Sequence, residues 1–172
     1  MKIILMGYMA SGKSLIGRQL AKDLSVAFID LDHYIEQKEA KSIGEIFSEK
    51  GEIYFRKREH FYLKELLEGS EKFVLSLGGG TPCFSNNAEL LFDKDHLNSF
   101  FLNVPLSELL QRLMKEKSQR PLISHIHGEE EMAEFIGKHL FERLPFYNRA
   151  DHKINANQNV DKVIEDIVVK LF

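Results

Sequence analysis

A chain of 172 residues with 44% hydrophobic and 28% charged residues is long enough for one domain with a full core. Its net charge of −3 gives no support for a nucleic-acid binder, its single cysteine excludes an internal disulfide, and no apolar run approaches the roughly 18 residues of a membrane helix. We therefore expect a single cytoplasmic domain over residues 1–172 that binds neither nucleic acid nor membrane. We also expect a monomer, although composition does not determine the oligomeric state.

The first predicted elements are a strand over residues 3–6 and an amphipathic helix over residues 15–24, joined by the glycine loop, residues 7–14. The loop reads GYMASGKS and matches G-x-x-x-x-G-K-[ST] in the strand–turn–helix context that gives this motif meaning. Main-chain N–H groups and the helix N-terminus favour phosphate, Lys13 can reach the β- and γ-phosphates, and Ser14 can ligate Mg²⁺. The alternative is a chance match that carries a surface lysine. A strand leading directly into the loop also argues against a signal peptide.

Two aspartates follow the second predicted strand, residues 28–30. Asp30 and Asp32 lie two residues apart, so in extended geometry their side chains point the same way, at the strand end where open α/β sheets bind ligands. One could serve hydrated Mg²⁺ while the other accepts a hydrogen bond or proton from a substrate hydroxyl. The alternative is a solvated strand end with Asp32 as the N-cap of the next helix.

A predicted capping box at Ser42 and Glu45 precedes a helix over residues 54–67. In that helix Arg56 and Glu59 share one face, either as an ion pair that holds Arg56 for a substrate carboxylate or as a surface pair. The next strand, residues 73–77, leads into the triple glycine, residues 78–80, which indicates either a close backbone approach or a bare turn.

The remaining elements continue the alternation of strands and helices. Residues 99–102 and 152–155 predict strands, and residues 105–117, 129–143 and 160–171 predict helices. Five strands separated by helical stretches predict an α/β fold, a three-layer α/β/α domain with a parallel sheet.

Residues 115–128 interrupt the alternation and are polar, which predicts a mobile loop. Such a loop could close over a nucleotide and bring Arg120 to the phosphates, or it could be an ordinary surface loop.

Three other features are less specific. Arg143 could reach the site, or it could only close its helix. His125 and His127 lack a third ligand at metal spacing and predict exposed loop residues. Cys83 has no base beside it and predicts a small buried hydrophobe.

Taken in order, these motifs resemble the shikimate kinase family, within the nucleoside-monophosphate-kinase-like branch of P-loop proteins. The resemblance covers nearly the whole chain, and the order of the motifs is more specific than any one of them. The motifs are the glycine loop, Asp30-Leu31-Asp32, the F-R-x-x-E run from Phe55 to Glu59, the triple glycine, Arg120-Pro121-Leu122 and Arg143-x-Pro-x-Tyr147.

The resemblance implies ATP-dependent phosphorylation of the 3-hydroxyl of shikimate to shikimate 3-phosphate, with Mg²⁺, in the pathway to chorismate and the aromatic amino acids. It implies shikimate and ATP as the small-molecule substrates. It also implies a P-loop fold with a five-stranded parallel sheet of order 2-3-1-4-5, a mobile lid at about residues 115–128 and a shikimate-binding region at about residues 31–60.

The resemblance also implies roles for particular residues. Asp32, Lys13 and Arg120 are implied to be catalytic. Ser14 and Asp30 are implied to bind the metal ion. Glu59 is implied to orient Arg56. The residues implied to bind shikimate are Asp32, Arg56, Gly79, Gly80 and Arg143. The residues implied to bind the nucleotide are Gly7, Ala10, Ser11, Gly12, Lys13, Ser14, Leu15, Arg112 and Arg120.

The chain departs from the family pattern at three of these positions. Ala10 stands where a third loop glycine is usual, and Leu15 stands where a threonine commonly follows the loop serine and offers the α-phosphate a hydroxyl. The spacing from Arg112, matched to an arginine that stacks on adenine, to Arg120 is one residue off.

Two other functions fit parts of the sequence. Another small P-loop kinase, for gluconate or a nucleoside monophosphate, would share the glycine loop, although a nucleotide acceptor needs a base pocket and more cations. A nucleotide-dependent switch would bind nucleotide without an acceptor, but the guanine-reading N-K-x-D motif of GTPase switches is missing from the sequence.

Overall fold

In the residues that the computed structural model describes, 1–92 and 94–172, five parallel strands form one sheet. The strand order is β2-β3-β1-β4-β5, with all four neighbouring pairs parallel, which confirms the predicted fold. The strands are β1 (Lys2–Met6), β2 (Ala27–Asp30), β3 (Phe73–Ser76), β4 (Leu97–Asn103) and β5 (His152–Asn155).

Helices connect successive strands, as parallel strands require. The first and last follow the predicted amphipathic segments closely, whereas a short helix before β4 has no counterpart among the predicted elements. The helices are α1 (Lys13–Asp23), α2 (Leu31–Glu39), α3 (Ile43–Glu68), α4 (Asn87–Leu91), α5 (Leu106–Glu116), α6 (Glu129–Tyr147) and α7 (Val160–Leu171), with 3₁₀ turns at Thr81–Cys83 and Lys117–Gln119.

The core lies around β1, where every residue is buried. A strand covered on both faces has no polar side, which is why β1 and β3 read as continuous apolar runs. The carboxyl ends of β1, β2 and β3 therefore bring the glycine loop, Asp30 and the triple glycine to one edge of the sheet. Among the described residues, no helix is both long and apolar enough to cross a membrane.

The segment after β2 differs from its extended prediction. Asp30 ends the strand and is the N-cap of α2, its carboxylate accepting from the His33 N–H, so Asp32 lies in the first helical turn. The expectation that two extended residues point the same way is therefore wrong, and so is the alternative with Asp32 as N-cap. A carboxylate at an N-cap satisfies a free helix N–H, which explains why α2 begins at Leu31, two residues earlier than an N-cap at Asp32 would place it.

Helix α3 is longer than predicted and begins with the predicted capping box. Ser42 accepts from the Glu45 N–H while the Glu45 carboxylate accepts from the Ser42 N–H, which confirms that pattern. Gly51, with φ of 79°, kinks the helix, so that the second half carries Arg56 and Glu59 on a separate axis. A positive φ of this kind favours glycine.

Helix α6 extends to Tyr147 although Pro145 lies inside it, so the prediction that Arg143 closes this helix is wrong. A proline within a helix removes one hydrogen bond. Here the buried Tyr147 holds the last turn in place, because its hydroxyl donates to the Gly79 carbonyl at 2.6 Å. Tertiary contact therefore outweighs the local helix-breaking tendency.

The predicted lid, residues 115–128, is more structured than an ordinary surface loop. Its first residues complete α5 and a 3₁₀ turn, and two isoleucines, Ile123 and Ile126, are buried in the core. The alternative of an ordinary polar surface loop is therefore wrong for the second half of the segment. Two buried side chains anchor its second half, while Arg120 lies in the first half, nearer the sheet edge.

Candidate active site

A cavity of about 500 Å³ opens beyond the carboxyl ends of β1, β2 and β3. This is the edge at which parallel α/β sheets bind ligands. Of the sequence-predicted site residues, the cavity is lined by Ala10, Gly12, Lys13, Ser14, Leu15, Asp30, Asp32, Gly79, Arg112 and Arg120. The others, Gly7, Ser11, Arg56, Gly80 and Arg143, lie beneath or beside it.

The glycine loop takes backbone conformations that explain its residue types. Gly7 has φ of 152°, and a Cβ there would lie 2.8 Å from the Leu102 carbonyl oxygen and 2.9 Å from Ser11 Oγ, so a side chain has no room. Gly12, with φ of 92°, leads into α1, whose first residues line the cavity. The positive end of a helix dipole beside a cavity favours an anion there.

Ala10 adopts a left-handed φ of 62°. That conformation costs a residue with a Cβ about 1–2 kcal/mol relative to the right-handed region. Ala10 therefore holds a backbone conformation that glycine would adopt without this cost. The Ala10 carbonyl accepts from Arg112 Nη1 at 3.0 Å, which ties α5 to the loop.

Lys13 is not the surface lysine of the chance-match alternative. Its Nζ donates to the carbonyl oxygens of Gly7 and Tyr8, both at 2.9 Å, and it faces the cavity. Burial lowers the pKa of Lys13 to about 8, against the opposing effect of the nearby Asp32 and Asp30 carboxylates. A poorly hydrated ammonium group is well suited to attract a phosphate that supplies the missing counter-charge.

Ser14 and Asp30 are brought together at the mouth of the cavity. Ser14 Oγ donates to Asp30 Oδ2 at 2.8 Å, although the residues belong to α1 and the end of β2. A hydroxyl and a carboxylate are the hard oxygen ligands that Mg²⁺ prefers, with waters completing its octahedron. The chemistry of this donor pair therefore fits a magnesium ion.

Asp32 has the properties of a base. Burial, followed by the charges of Glu59 and Asp30, raises the pKa of Asp32 to about 6, while Lys13 and Arg56 act in the opposite direction. A carboxylate with a raised pKa binds a proton more strongly than a solvated one, yet remains ionised at neutral pH. Asp32 can therefore accept a hydroxyl proton.

Arg56 is held by a buried acid, so the surface-pair alternative is wrong. Arg56 Nη1 donates to Glu59 Oε1 at 2.8 Å, and Glu59 is 1% exposed. The guanidinium also stacks on the Phe84 ring, 4.1 Å from its centroid. Among the described residues Arg56 Nε has no hydrogen-bond partner, with the Glu52 carboxylate 3.5 Å away. The Glu59 contact orients the guanidinium through Nη1, while Nη2, which lies beside Gly80, can donate to an anion.

The triple glycine brings two arginines close to the backbone, which rules out the bare-turn alternative. A Cβ on Gly79 would lie 3.1 Å from Arg143 Nη1, and one on Gly80 would lie 2.9 Å from Arg56 Nη2. A larger residue at either position would displace these guanidinium groups. The glycines thus allow cations from α3 and α6 to approach the same short backbone segment.

Two further arginines, Arg112 and Arg120, line the cavity beside the glycine loop. Arg112 Nε is paired with Glu108 at 2.8 Å, in addition to its bond to the loop carbonyl. Arg120 donates through Nε and Nη2 to Glu116 Oε2, at 2.8 and 2.5 Å. Each pair joins residues one helical turn apart, which positions the guanidinium groups along the cavity wall.

Sequence reasoning missed the contacts that fix α6. The Tyr8 hydroxyl and His139 Nδ1 lie 2.8 Å apart, although 131 positions separate them in the chain, and no local pattern indicates such a pair. Burial and the nearby Arg143 lower the pKa of His139 to about 4, so the ring is neutral at physiological pH. The Arg143 guanidinium lies 5.9 Å from the centroid of the Tyr8 ring. Helix α6 is thus connected to the glycine loop.

Other candidates lie as follows. His125 and His127 are exposed, as predicted for loop residues. Cys83 is less buried than predicted and lies beside the arginines of the site. Burial raises the pKa of its thiol to about 11, so Cys83 is protonated at neutral pH and is a poor nucleophile.

Comparisons with known proteins agree with this geometry. The family model for shikimate kinase matches residues 9–172. The shikimate kinase of Flavobacterium johnsoniae is 48% identical over 168 residues, which cover 97% of this chain and 96% of that protein. The crystal structure of shikimate kinase from Bacteroides thetaiotaomicron aligns with a TM-score of 0.88 at 37% identity, over 99% of this chain and 97% of the other.

A structure that includes a ligand is also similar. Shikimate kinase from Acinetobacter baumannii in complex with shikimate aligns with a TM-score of 0.82 at 34% identity, over 99% of this chain and 92% of the other. The family model and the full-length relatives agree with each other and with the fold. This chain belongs to the shikimate kinase family.

Proposed function

We propose that the cavity binds Mg²⁺-ATP on the glycine loop and shikimate at the triple glycine, and transfers the γ-phosphoryl group to the shikimate 3-hydroxyl. As a member of its family, the chain is an ATP- and Mg²⁺-dependent phosphotransferase that gives shikimate 3-phosphate and ADP. The residue assignments are the proposal. The observation that carries them is the convergence of Arg56, Arg143 and Asp32 on the triple glycine, next to Lys13.

The acceptor side suits a small hydroxy acid. Shikimate carries one carboxylate and several hydroxyl groups, so it needs fixed cations at one end and an acceptor at the other. Arg56 and Arg143 supply the cations, and the backbone of Gly79 and Gly80 lies against both guanidinium groups. Asp32, whose carboxylate lies 3.0 Å from the position of a Gly78 Cβ, supplies the acceptor.

The donor side suits a triphosphate. The loop amides and Lys13 contact the β- and γ-phosphates. Ser11 packs against Gly7 inside the loop. Leu15 and Arg112 line the cavity next to the nucleotide. Ser14 and Asp30 would hold the magnesium ion. When bound, Mg²⁺ neutralises phosphate charge and orients the phosphoryl group.

The chemical step requires one proton transfer from the acceptor. The 3-hydroxyl oxygen forms a bond to the γ-phosphorus as the bond to the ADP oxygen breaks, and Asp32 takes the hydroxyl proton. Lys13 and Arg120 stabilise the charge on the transferring group and on the departing ADP oxygen. Arg120 lies in the segment that we propose closes over the nucleotide and excludes water.

The test of this function is ATP turnover with several acceptors assayed in parallel. We expect ADP release with shikimate to exceed that with gluconate or any nucleoside monophosphate by at least about 10³-fold, because unpaired buried charges reject the wrong ligand. Preference for another acceptor would refute the shikimate assignment. Nucleotide hydrolysis that ignores every acceptor would instead indicate a switch protein.

Replacing Arg56 by lysine should separate the two substrates. Lysine keeps the charge but loses the planar fork, so we expect the KM for shikimate to rise about 10–100-fold while the KM for ATP changes less than about twofold. Lys57→Arg, at the neighbouring position, is the control and should change neither constant. An unchanged shikimate KM in Arg56→Lys would remove Arg56 from the binding site.

We further propose that the chain acts as a single domain in the cytoplasm, as a monomer, with no nucleic-acid or membrane partner. The net charge of −3 supports the absence of a polyanion partner. The lid would cover about residues 115–128, and the shikimate-binding region about residues 31–60. Sedimentation of the purified protein tests the oligomeric state.

A further inference from the structure

A threonine that the proposed mechanism does not use joins the Arg56–Glu59 pair to the triple glycine. Thr81 directly follows Gly80, and its side chain is fully buried. Its Oγ1 donates to Glu59 Oε2 at 2.7 Å, and its N–H donates to the Gly78 carbonyl at 3.1 Å. One residue thus contacts both the acid that orients Arg56 and the backbone of the triple glycine.

The two oxygens of Glu59 have separate donors. Oε1 accepts from Arg56 Nη1 and Oε2 accepts from Thr81 Oγ1, at 2.8 and 2.7 Å. A buried carboxylate needs a donor on each oxygen, since an unmatched charged oxygen in a dry site is costly. The Thr81 hydroxyl therefore fixes the rotation of the Glu59 carboxylate, and through it the plane of the Arg56 guanidinium.

A second residue, Asn87 at the start of α4, links the Thr81 backbone to α3. Asn87 is fully buried, and its Nδ2 donates to the Thr81 carbonyl at 2.9 Å. Asn87 Oδ1 lies 2.8 Å from Nδ1 of His60, the residue after Glu59 on α3. Helix α3 therefore contacts the Thr81 side chain directly through Glu59 and its carbonyl indirectly through Asn87 of α4, so the two substrate-facing elements keep one relative position.

We propose that Thr81 is a positioning residue for shikimate, whose hydroxyl aligns the Arg56 guanidinium with the backbone of Gly79 and Gly80. This inference rests on the proposed function, in which Arg56 binds the shikimate carboxylate. A guanidinium that binds a carboxylate through two parallel hydrogen bonds depends on the orientation of its plane. Losing the Thr81 hydroxyl should thus affect the acid substrate and leave the nucleotide side unchanged.

The test replaces Thr81 by valine, which has nearly the same shape without the hydroxyl, and by serine, which keeps it. For Thr81→Val we expect about a tenfold rise in the shikimate KM, and in the shikimate Kd measured by calorimetry without nucleotide. The ATP KM and the kcat at saturating shikimate should stay within about threefold of the parent. Thr81→Ser should bind shikimate like the parent.

Ser99→Ala is the matched control, because Ser99 is a fully buried hydroxyl that donates to the Asp151 carboxylate at 2.7 Å, within β4 and away from the cavity. It should lower the melting temperature without changing the shikimate Kd.

If Thr81→Val does not fold, Thr81→Ala removes the same hydroxyl with a smaller side chain and gives the same comparison. A parental shikimate Kd in the variant without the hydroxyl, or a serine variant as weak as the valine variant, would overturn the proposal. The activity of the parent protein with shikimate is measured in the same experiment. If the parent does not phosphorylate shikimate, the proposed function fails, whatever the Thr81 variants show.

Discussion

Replacing Asp32 by asparagine should lower kcat by about 10²–10⁴ while making the folded protein more stable at neutral pH. This decrease in kcat is the usual contribution of a general base to the rate, because asparagine can accept a hydrogen bond but cannot take the proton. The substitution keeps the size of the side chain, so shikimate should still bind. Steady-state kinetics measure kcat, and calorimetry measures the shikimate Kd. A kcat near that of the parent would leave Asp32 only an aligning role.

The gain in stability follows from the raised pKa of Asp32, about 6 in the folded protein against 3.8 for an ordinary aspartate. Between these values the folded state holds the proton more tightly than the unfolded chain, so the free energy of unfolding decreases as the pH rises through this range. Above pH 6 the ionised carboxylate costs at most about 3 kcal/mol, which the neutral amide avoids.

Urea denaturation at pH 4 and pH 7.5 separates this effect from a general change in packing. The gain in Asp32→Asn should be present at pH 7.5 and nearly disappear at pH 4, where the parent carboxyl is protonated. Asp161→Asn, in the exposed first turn of α7, is the matched control and should show no such gain. A gain that is equal at both pH values would contradict the electrostatic explanation.

The fold and the arrangement of the glycine-loop half of the candidate site were predictable because their signals are local. Residues 3–14 contain the buried strand, the loop glycines and Lys13 in one continuous pattern, and the carboxyl-edge rule brings Asp30 and Asp32 to the same place. Alternating apolar strands and helices specify a parallel sheet. Its strand order came from the resemblance to the family, since periodicity does not state which strands are neighbours.

The acceptor half could be predicted only in part, because its geometry depends on contacts between distant segments. Spacing on a helix placed Arg56 beside Glu59, but it could not show that Glu59 is buried or that Thr81 donates to it. The contact of Tyr147 with Gly79 joins residues 68 positions apart and keeps α6 helical past Pro145. Local propensity carries no information about such contacts.

Lys13→Met should lower kcat/KM for ATP by about 10³-fold. Methionine has a similar length and fills the same space, but it cannot stabilise the charge that develops on the phosphoryl oxygens, and removal of one such donor typically costs about 10²–10³ in kcat. Weaker ground-state binding adds to the loss. Lys22→Met, an exposed position in the last turn of the same helix, is the matched control and should be active. An active Lys13→Met would exclude the glycine loop as the triphosphate site.

The pH dependence of kcat/KM for ATP should then report the pKa values of Asp32 and Lys13 in the enzyme without bound ATP. The proposed mechanism requires Asp32 ionised and Lys13 protonated, and their pKa values of about 6 and about 8 predict a bell-shaped profile with limbs near these values. The residual activity of Asp32→Asn should lack the acid limb of the profile. The residual activity of Lys13→Met should lack the alkaline limb. In the profile of kcat, bound phosphate stabilises the ammonium form, so the alkaline limb should move to higher pH. If both limbs persist in both variants, other groups control the reaction and the roles of Asp32 and Lys13 must be reassigned.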